Sequence, residues 1–547
     1  MLDPLTRLAV IHGTDKFGYH DYTPNYHAVL RHLRDRPVRL LEIGVGGYRD
    51  ADRGGESLEM WRDYFEAGQI TGIDIQKKEM DLGARVAILQ GSQVDAAFLA
   101  GVVEDRGPFD VIIDDGSHQN EHVVMSFELL FPTLCPGGIY VAEDVQTAFF
   151  PRFGGTLELS PPNSVGFFGD MFMRFPAGLA RISRFHNMIA IAKVGDGAPP
   201  PLAPPAQRVG VDAPADSLIA TFDGLATGEM LEIDGFDTAS DGKAGPTGPT
   251  GALIDRLFVE IDHRERAIHF PQAETLDLAR TTYALHREKG RVILVKGEND
   301  YPSNFALDFD HPRVQANLAA MEDLLMREGR ERGLLLLADL QTRAGNDAVV
   351  DRLLARANEI GASSRSFFNA AVRRRKLVQD WDGARRLLDR AVSLYPRDYR
   401  ILGQLGAAMQ KAGDAQGAAE TFGKAVEQAP DDALTRIQYA NALSRIERFD
   451  EAVEQARKAI GIAPHHIGHK AQLARILILA GRAGDAVPIL EEILEQDSDN
   501  APAARQLSRA YEALGQRERA VALIRRALEL RPDNGEYQRW RDRLMRD

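Results

Sequence analysis

Phe109–His118 reads FDVIIDDGSH and Gly137–Asp144 reads GGIYVAED. Each is a mostly apolar run that ends in two adjacent acids, Asp114-Asp115 and Glu143-Asp144. Runs this apolar suit strands covered on both faces, as in a parallel sheet. Ligands of such sheets bind beyond the carboxyl ends of the strands. Residues 119–134 between the runs have a helical pattern, which Pro136-Gly137-Gly138 stops. The two strands are therefore expected to be neighbours, gathering four carboxylates at one rim with His118 beside them. That concentration of negative charge calls for a cation. The stretch predicts a hard-metal site with a base next to it.

Upstream, Val38–Tyr48 reads VRLLEIGVGGY, an apolar strand followed by Gly44, Gly46 and Gly47. Glycines after a first strand let the backbone approach a bound nucleotide closely. The full dinucleotide fingerprint is absent, so pyrophosphate binding is not implied. A helix over 57–65 and a second strand, ITGIDI, lead to Asp74, an acid placed to accept hydrogen bonds from both ribose hydroxyls. A third strand, RVAILQG, ends at Gln90-Gly91-Ser92, where an amide and a hydroxyl can read an adenine edge. The alternation predicts a doubly wound, Rossmann-like α/β domain carrying a nucleoside.

Residues 1–36 begin with a short helical pattern and continue as GTDKFGYHDYTPNY, a loop that supplies His20, Tyr22 and Tyr26. Beyond Asp144, VQTAFFPRFGG is an aromatic-rich loop, and RISRFHNMIAIAKV over 181–194 predicts a strand or hairpin. The chain then turns proline-rich (GDGAPPPLAPPAQ, from Gly195), and Asp237–Gly251 is expected to be disordered. DRLFVEIDHRERAIHF and GRVILVKGENDYPSNF both contain strand-like runs that can extend the sheet.

From Glu331 helical periodicity takes over with a period of 34 residues. Ala384, Ala418, Ala452, Ala486 and Ala520 recur in phase, as do Pro396, Pro430, Pro464 and Pro532, with Ser498 in the missing place. This is the tetratricopeptide pattern of paired helices, whose stacks form a superhelix with a concave binding face. A degenerate further unit is read over 331–362, with Leu337, Leu354 and Ala357 on its apolar faces. The expected domains are a core over 1–195, an insert with late strands over 196–310, a helical linker over 311–330 and an all-α solenoid over 331–547.

At 547 residues, 44% hydrophobic and 27% charged, the chain has an ordinary globular composition. The formal net charge of −14, with nothing in the sequence concentrating a basic surface, argues against nucleic acid as a partner. The single cysteine, Cys135, excludes an intramolecular disulfide and fits a reducing compartment. No secretory segment opens the chain, and no apolar stretch reaches the ~20 residues needed to span a bilayer. The expected location is the cytoplasm.

Carboxylate oxygens favour Mg2+, Mn2+ or Ca2+ over zinc, and no Cys/His cluster offers softer ligands. A metal-bound diol would have one hydroxyl acidified, and His118, past the turn at Gly116, is placed to take that proton. Of the four acids, Asp115 leads into the turn and is assigned to the metal. Asp114 is left to the cofactor side of the rim or to a structural role at the strand end. A glycine loop with a ribose-binding acid, but without a phosphate cradle, is most consistent with the sulfonium methyl of S-adenosylmethionine as the electrophile.

The runs GTDK…YHDYTPNY, LLEIGVGGY, GGESLEMWRDYF, GIDI, IIDDGSH and VAEDVQT resemble the metal-dependent S-adenosylmethionine sugar O-methyltransferases of macrolide biosynthesis, over roughly residues 5–195. The resemblance implies a class I methyltransferase fold, with Asp115, Glu143 and Asp144 on magnesium or manganese and His118 as the base. It places Glu42, Gly44 and Asp74 at the cofactor, beside the Gly46 of the glycine loop, with Tyr22 helping to close that site. The auxiliary N-terminal domain of those enzymes is absent here and the repeat array is added, so neither acceptor nor oligomeric state transfers; a homo-oligomer stays open. The expected function is methylation of a sugar or glycan hydroxyl, with the repeats recruiting a protein partner or the acceptor. The alternatives are methylation of another diol, such as a catechol, and an interaction scaffold on an inactive fold.

Overall fold

The computed structural model describes residues 2–156, 163–174, 178–236, 249–260, 273–299, 301–302 and 307–546. The chain forms two compact units, Met1–Ile360 and Gly361–Asp547.

The first unit is built on one eleven-stranded mixed sheet in the order β3-β2-β1-β4-β5-β7-β6-β10-β11-β9-β8. The strands are β1 (Arg39–Ile43), β2 (Gln69–Asp74), β3 (Val86–Gln90), β4 (Val111–Asp114), β5 (Ile139–Glu143), β6 (Leu179–Phe185), β7 (Met188–Lys193), β8 (Gln207–Gly210), β9 (Met230–Asp234), β10 (Thr282–Glu288) and β11 (Arg291–Lys296). β3, β2, β1, β4 and β5 are parallel, as the apolar runs predict, and β4 and β5 are buried along their whole length. The order of strands reverses between β1 and β4, the place where a doubly wound sheet opens a crevice at its carboxyl ends. Register sets Ile43, Asp114 and Ala142 side by side, so the residues that follow them emerge at one level.

Residues 181–194 form the predicted hairpin, β6–β7, which joins β5 antiparallel. GRVILVK supplies β11, but LFVE of DRLFVE lies in the helix Pro249–Glu260. Leu253, Ile254, Leu257 and Phe258 recur at helical rather than alternating spacing, and all four join the core. Residues 237–248 of the expected disordered segment, and 261–272, lie outside the described residues. β8 and β9 were not anticipated, because β8 is short and largely exposed and presents no apolar run. The region 196–310 thus contributes the far strands of the same sheet.

The second unit stacks five helix pairs, from Arg365–Leu377 with Trp381–Leu394 to Ala501–Ala513 with Arg517–Leu530, and ends in Gly535–Arg546. Ala384, Ala418, Ala452, Ala486 and Ala520 all have 0% exposure, because the paired helices approach too closely there for a larger side chain. Asp380, Asp398, Asp414, Asp432 and Asn500 cap helix starts with their side chains. The helices Glu331–Arg343 and Asp347–Glu359, read from sequence as a degenerate repeat, fall within the first compact unit. No helix among the described residues is long and apolar enough to cross a membrane.

Candidate active site

Successive strand residues point to opposite faces, and this separates the two acids at the end of β4. Asp114 is buried, and its Oδ2 accepts from Tyr140 Oη at 2.8 Å and its Oδ1 from Gln93 Nε2 at 3.2 Å. Burial pushes its pKa up to about 6. Asp115 turns to the rim, where it meets Glu143 and Asp144, so three of the four acids converge and Asp114 stands apart.

The cation that joins this group in the fold is Lys16, from the GTDK run. Its Nζ donates to Glu143 Oε1 at 2.6 Å and to Asp115 Oδ2 at 2.7 Å, and lies 3.4 Å from Glu42 Oε1. At 1% exposure, burial alone would lower its pKa, but Asp115, Glu143 and Glu42 outweigh burial and raise it. Tyr26 Oη also donates to Glu143 Oε1. Glu143 nonetheless has a raised pKa, through burial first and Asp115 second. Glu42, fully buried and holding the Ser57 hydroxyl at 2.9 Å, is likewise raised by burial.

Asp144 is held differently. Its Oδ1 accepts from Tyr22 Oη at 2.7 Å and from Asn187 Nδ2 at 2.8 Å, while its Oδ2 lies 3.6 Å from His118 Nε2. Burial works to raise its pKa, but His20 and His118 with these two hydrogen bonds bring it below the usual carboxylate value. His118 Nε2 is also 3.9 Å from Asp115 Oδ1. One ligand atom each from Asp115, His118 and Asp144 lies within 4.8 Å of the others. The two carboxylate oxygens fit magnesium or manganese, and the imidazole stands beside them. Glu143, the third predicted ligand, has its Oε1 committed to Lys16 and Tyr26.

His118, Asp144 and Asn187 all adopt left-handed backbone conformations, with φ of 55°, 52° and 54°. Such strain in non-glycine residues persists only where the surroundings impose it, and it gathers here around one carboxylate. The helix Asn120–Leu130 follows His118 directly and is anchored by Phe127, stacked on Phe131 at 4.6 Å and set edge-on to Tyr140 at 5.0 Å. His122, one turn on, meets Ser117 Oγ at 2.8 Å.

Of the residues expected at the cofactor, Glu42, Gly44, Gly46, Asp74, Gln90 and Ser92 lie at or just past the carboxyl ends of β1, β2 and β3, whereas Tyr22 is hydrogen-bonded to Asp144 and Asp114 to Tyr140. A Cβ at Gly44 would sit 2.1 Å from the Asp115 carbonyl oxygen, so this crossing of β1 past β4 demands glycine. Gly46 has φ of 77°. Asp74 Oδ2 accepts from the Val45 amide at 3.1 Å, which ties the end of β2 to the glycine loop. Gln90 Nε2 donates to the Ile75 carbonyl at 3.3 Å, and Ser92 lies on the loop after β3.

Lys16 and Asn187 have no predicted role from sequence, and His20 and Tyr26 were read only as polar loop residues. The signal available for Lys16 was a lysine in the same segment as the aromatic loop, in a chain whose rim acids outnumber the cations near them in sequence.

Part of the chain has sequence counterparts among known proteins. Its likeness is to O-methyltransferases. Five curated relatives, all O-methyltransferases by name, are 46–50% identical over 152–163 residues. The 8-demethyl-8-alpha-L-rhamnosyl tetracenomycin-C 2'-O-methyltransferase of Streptomyces olivaceus is 47% identical over 30% of this chain and 43% of its own. The mycinamicin VI 2''-O-methyltransferase of Micromonospora griseorubida is 49% identical over 28% of this chain and 38% of its own. The chain thus spans less than half the length of these relatives. The solved MycE methyltransferase from mycinamycin biosynthesis, in complex with Mg, SAH and mycinamycin VI, is 39% identical over 37% of this chain and 57% of its own, with a TM-score of 0.33. Tetratricopeptide repeat family models match residues 378–446, 477–544 and 435–466.

Proposed function

We propose that the first unit is an S-adenosylmethionine- and divalent-metal-dependent O-methyltransferase acting on a sugar or glycan hydroxyl, and that the repeat unit recruits the acceptor or a protein that carries it. The observation that carries this reading is the joint placement of Asp115, Asp144 and His118 at the rim where β1 and β4 part. Three relatives' names, which specify O-methylation of rhamnosyl or olivosyl products, support the sugar as acceptor.

Asp115 and Asp144 would hold the ion, which when bound supplies Lewis acidity toward a diol. Lys16 and Tyr26 fix Glu143 behind them, and Tyr22 and Asn187 orient Asp144 so that its Oδ2 faces His118. With S-adenosylmethionine bound, His118 Nε2 would accept the hydroxyl proton; the cofactor would supply a sulfonium methyl for that oxygen, with S-adenosylhomocysteine as the leaving group. Imidazole suits this step because its ordinary pKa lies near neutrality. Glu42, Gly44, Gly46, Asp74, Gln90 and Ser92 would hold the nucleoside in the crevice, which would position the methyl donor relative to the acceptor.

Calorimetry of the full chain with S-adenosylmethionine, with and without Mg2+, tests the reading. Binding of cofactor by wild type, reduced about tenfold or more in Asp74→Ala, is expected. Absence of any cofactor binding would leave the scaffold alternative.

A further inference from the structure

The proline-rich run after β7 has no part in the chemistry proposed above. Pro199–Pro205 reads PPPLAPP, five prolines in seven residues. Both ends of the run are fastened to the first unit. On the near side, Gly197 and Ala198 pass so close to Gly137 that a Cβ there would sit 2.3 Å from either amide nitrogen. His32 Nε2 meets the Gly197 carbonyl at 3.1 Å, and Arg181 Nη2 donates to the Pro200 carbonyl at 3.1 Å. On the far side, the Ala206 amide donates to the Met230 carbonyl at 2.9 Å, just before β8. Between these ties, no hydrogen bond joins Pro201–Pro205 to the other described residues.

Exposure along the run repeats every third residue. Pro199, Leu202 and Pro205 are half-buried, whereas Pro200, Pro201, Ala203, Pro204 and Ala206 are exposed. A period of three is that of the left-handed polyproline helix, which advances ~3.1 Å per residue and makes no internal hydrogen bonds. One of its three faces therefore rests on the protein and the other two stand in solvent. Pro201 and Pro204 share one exposed face; Pro200, Ala203 and Ala206 share the other. In strand order β8 lies five places from β7, a crossing of ~24 Å. That crossing fixes where the run begins and ends, but it does not require apolar rings on both outward faces.

We propose that Pro200–Pro204 docks a partner domain through an aromatic-lined groove of the SH3 type. Such a groove has two shallow slots side by side and takes one dipeptide step in each. Pro200-Pro201 and Ala203-Pro204 are two such steps, three residues apart, and Leu202 between them is turned to the protein. Each step presents a proline ring to an aromatic wall without any rearrangement of the segment. The carbonyls of Pro201–Pro205 accept from no described residue, so indole and phenol donors of the groove meet free acceptors. Proline's fixed φ and the two anchored ends leave little conformational entropy to lose on binding. Strand addition is the rival use of an exposed segment, but a ladder needs N–H groups, and within Pro199–Pro205 only Leu202 and Ala203 carry one.

This surface belongs to the first unit and is separate from the recruiting role given to the repeats. Its test reads binding alone, so its failure leaves the methyl-transfer reading untouched. A panel of isotopically labelled SH3 domains of differing charge preference is titrated with the full chain, and their amide and indole resonances are followed. Groove resonances of at least one member are expected to shift or broaden, and a free peptide of residues 198–207 should compete for them. P201A/P204A, with its circular dichroism unchanged, should weaken binding about tenfold or more, whereas Pro199→Ala, on the protein-facing side, should leave it within about twofold. Should the double variant misfold, Ala203→Glu, which sets a charge in the second slot, decides in the same way. No response from any member, a response confined to surfaces outside the groove, or undiminished binding by a folded P201A/P204A or Ala203→Glu chain would overturn the proposal.

Discussion

In the first unit Lys16 meets Glu143 across 127 positions of sequence; in the second Arg475 meets Asn441 across 34. The two contacts belong to different kinds of order. The repeat unit solves one packing problem and reuses it, so each alanine at a close helix approach predicts the next. The sheet's rim is assembled once, from the loop after the first helix, the ends of β1, β4 and β5, and the turn of the β6–β7 hairpin. Charge follows the same division: the rim gathers its acids around one lysine, whereas Arg475 on the repeat helices donates to the amides of Gln472 and Asn441.

That contrast predicts that substitutions at the rim change chemistry or fold steeply while leaving the repeats alone. The largest effect belongs to His118→Gln, which should lower methyl transfer about 10²–10⁴-fold while calorimetric affinity for S-adenosylmethionine and Mg2+ stays unchanged. Loss of Mg2+ affinity in that variant would instead make His118 a ligand. Lys16→Met strands Glu42, Asp115 and Glu143 without their ammonium and should cost the first unit about 3–5 kcal/mol, read from denaturant midpoints. A variant as stable as wild type would remove Lys16 from the centre of the rim.

Asp114 gives a pH test. Its folded pKa is raised to about 6 from 3.8, so its favourable share of stability is complete below 3.8 and is lost as pH rises through 6. The stability of wild type relative to Asp114→Asn should therefore increase as pH falls from 7 to 4.5, by about 1–3 kcal/mol. A flat difference would mean that Asp114 has an ordinary pKa. Of the same size, and confined to the second unit, is the effect of Ala452→Leu. Overpacking at this fully buried position should cost about 1–3 kcal/mol in the repeats and leave methyl transfer to a small acceptor unaltered.

How far the sequence could be read follows from the same contrast. The parallel half of the sheet was legible because β4 and β5 are apolar throughout, and the helix pairs because their period repeats. β8 escaped, since a short exposed strand has no apolar pattern, and DRLFVE misled, since a short apolar run does not distinguish helix from strand. The proximity of Asp115, His118 and Asp144 was legible because strand ends and one turn bring them together locally. The convergence of all four acids was over-read: strand alternation turns Asp114 toward Tyr140 and Gln93. Lys16, Tyr26 and Asn187 were out of reach, because what gives each its partner is the tertiary fold and not its neighbours in sequence.

Transfer of an isotopically labelled methyl group from S-adenosylmethionine to a simple rhamnoside, followed by mass spectrometry, tests the catalytic reading most directly. Label on a sugar oxygen is expected with Mg2+ present, abolished by chelator and by His118→Gln. Label that appears equally with chelator, or none on any glycoside offered to a folded protein that binds the cofactor, would contradict it.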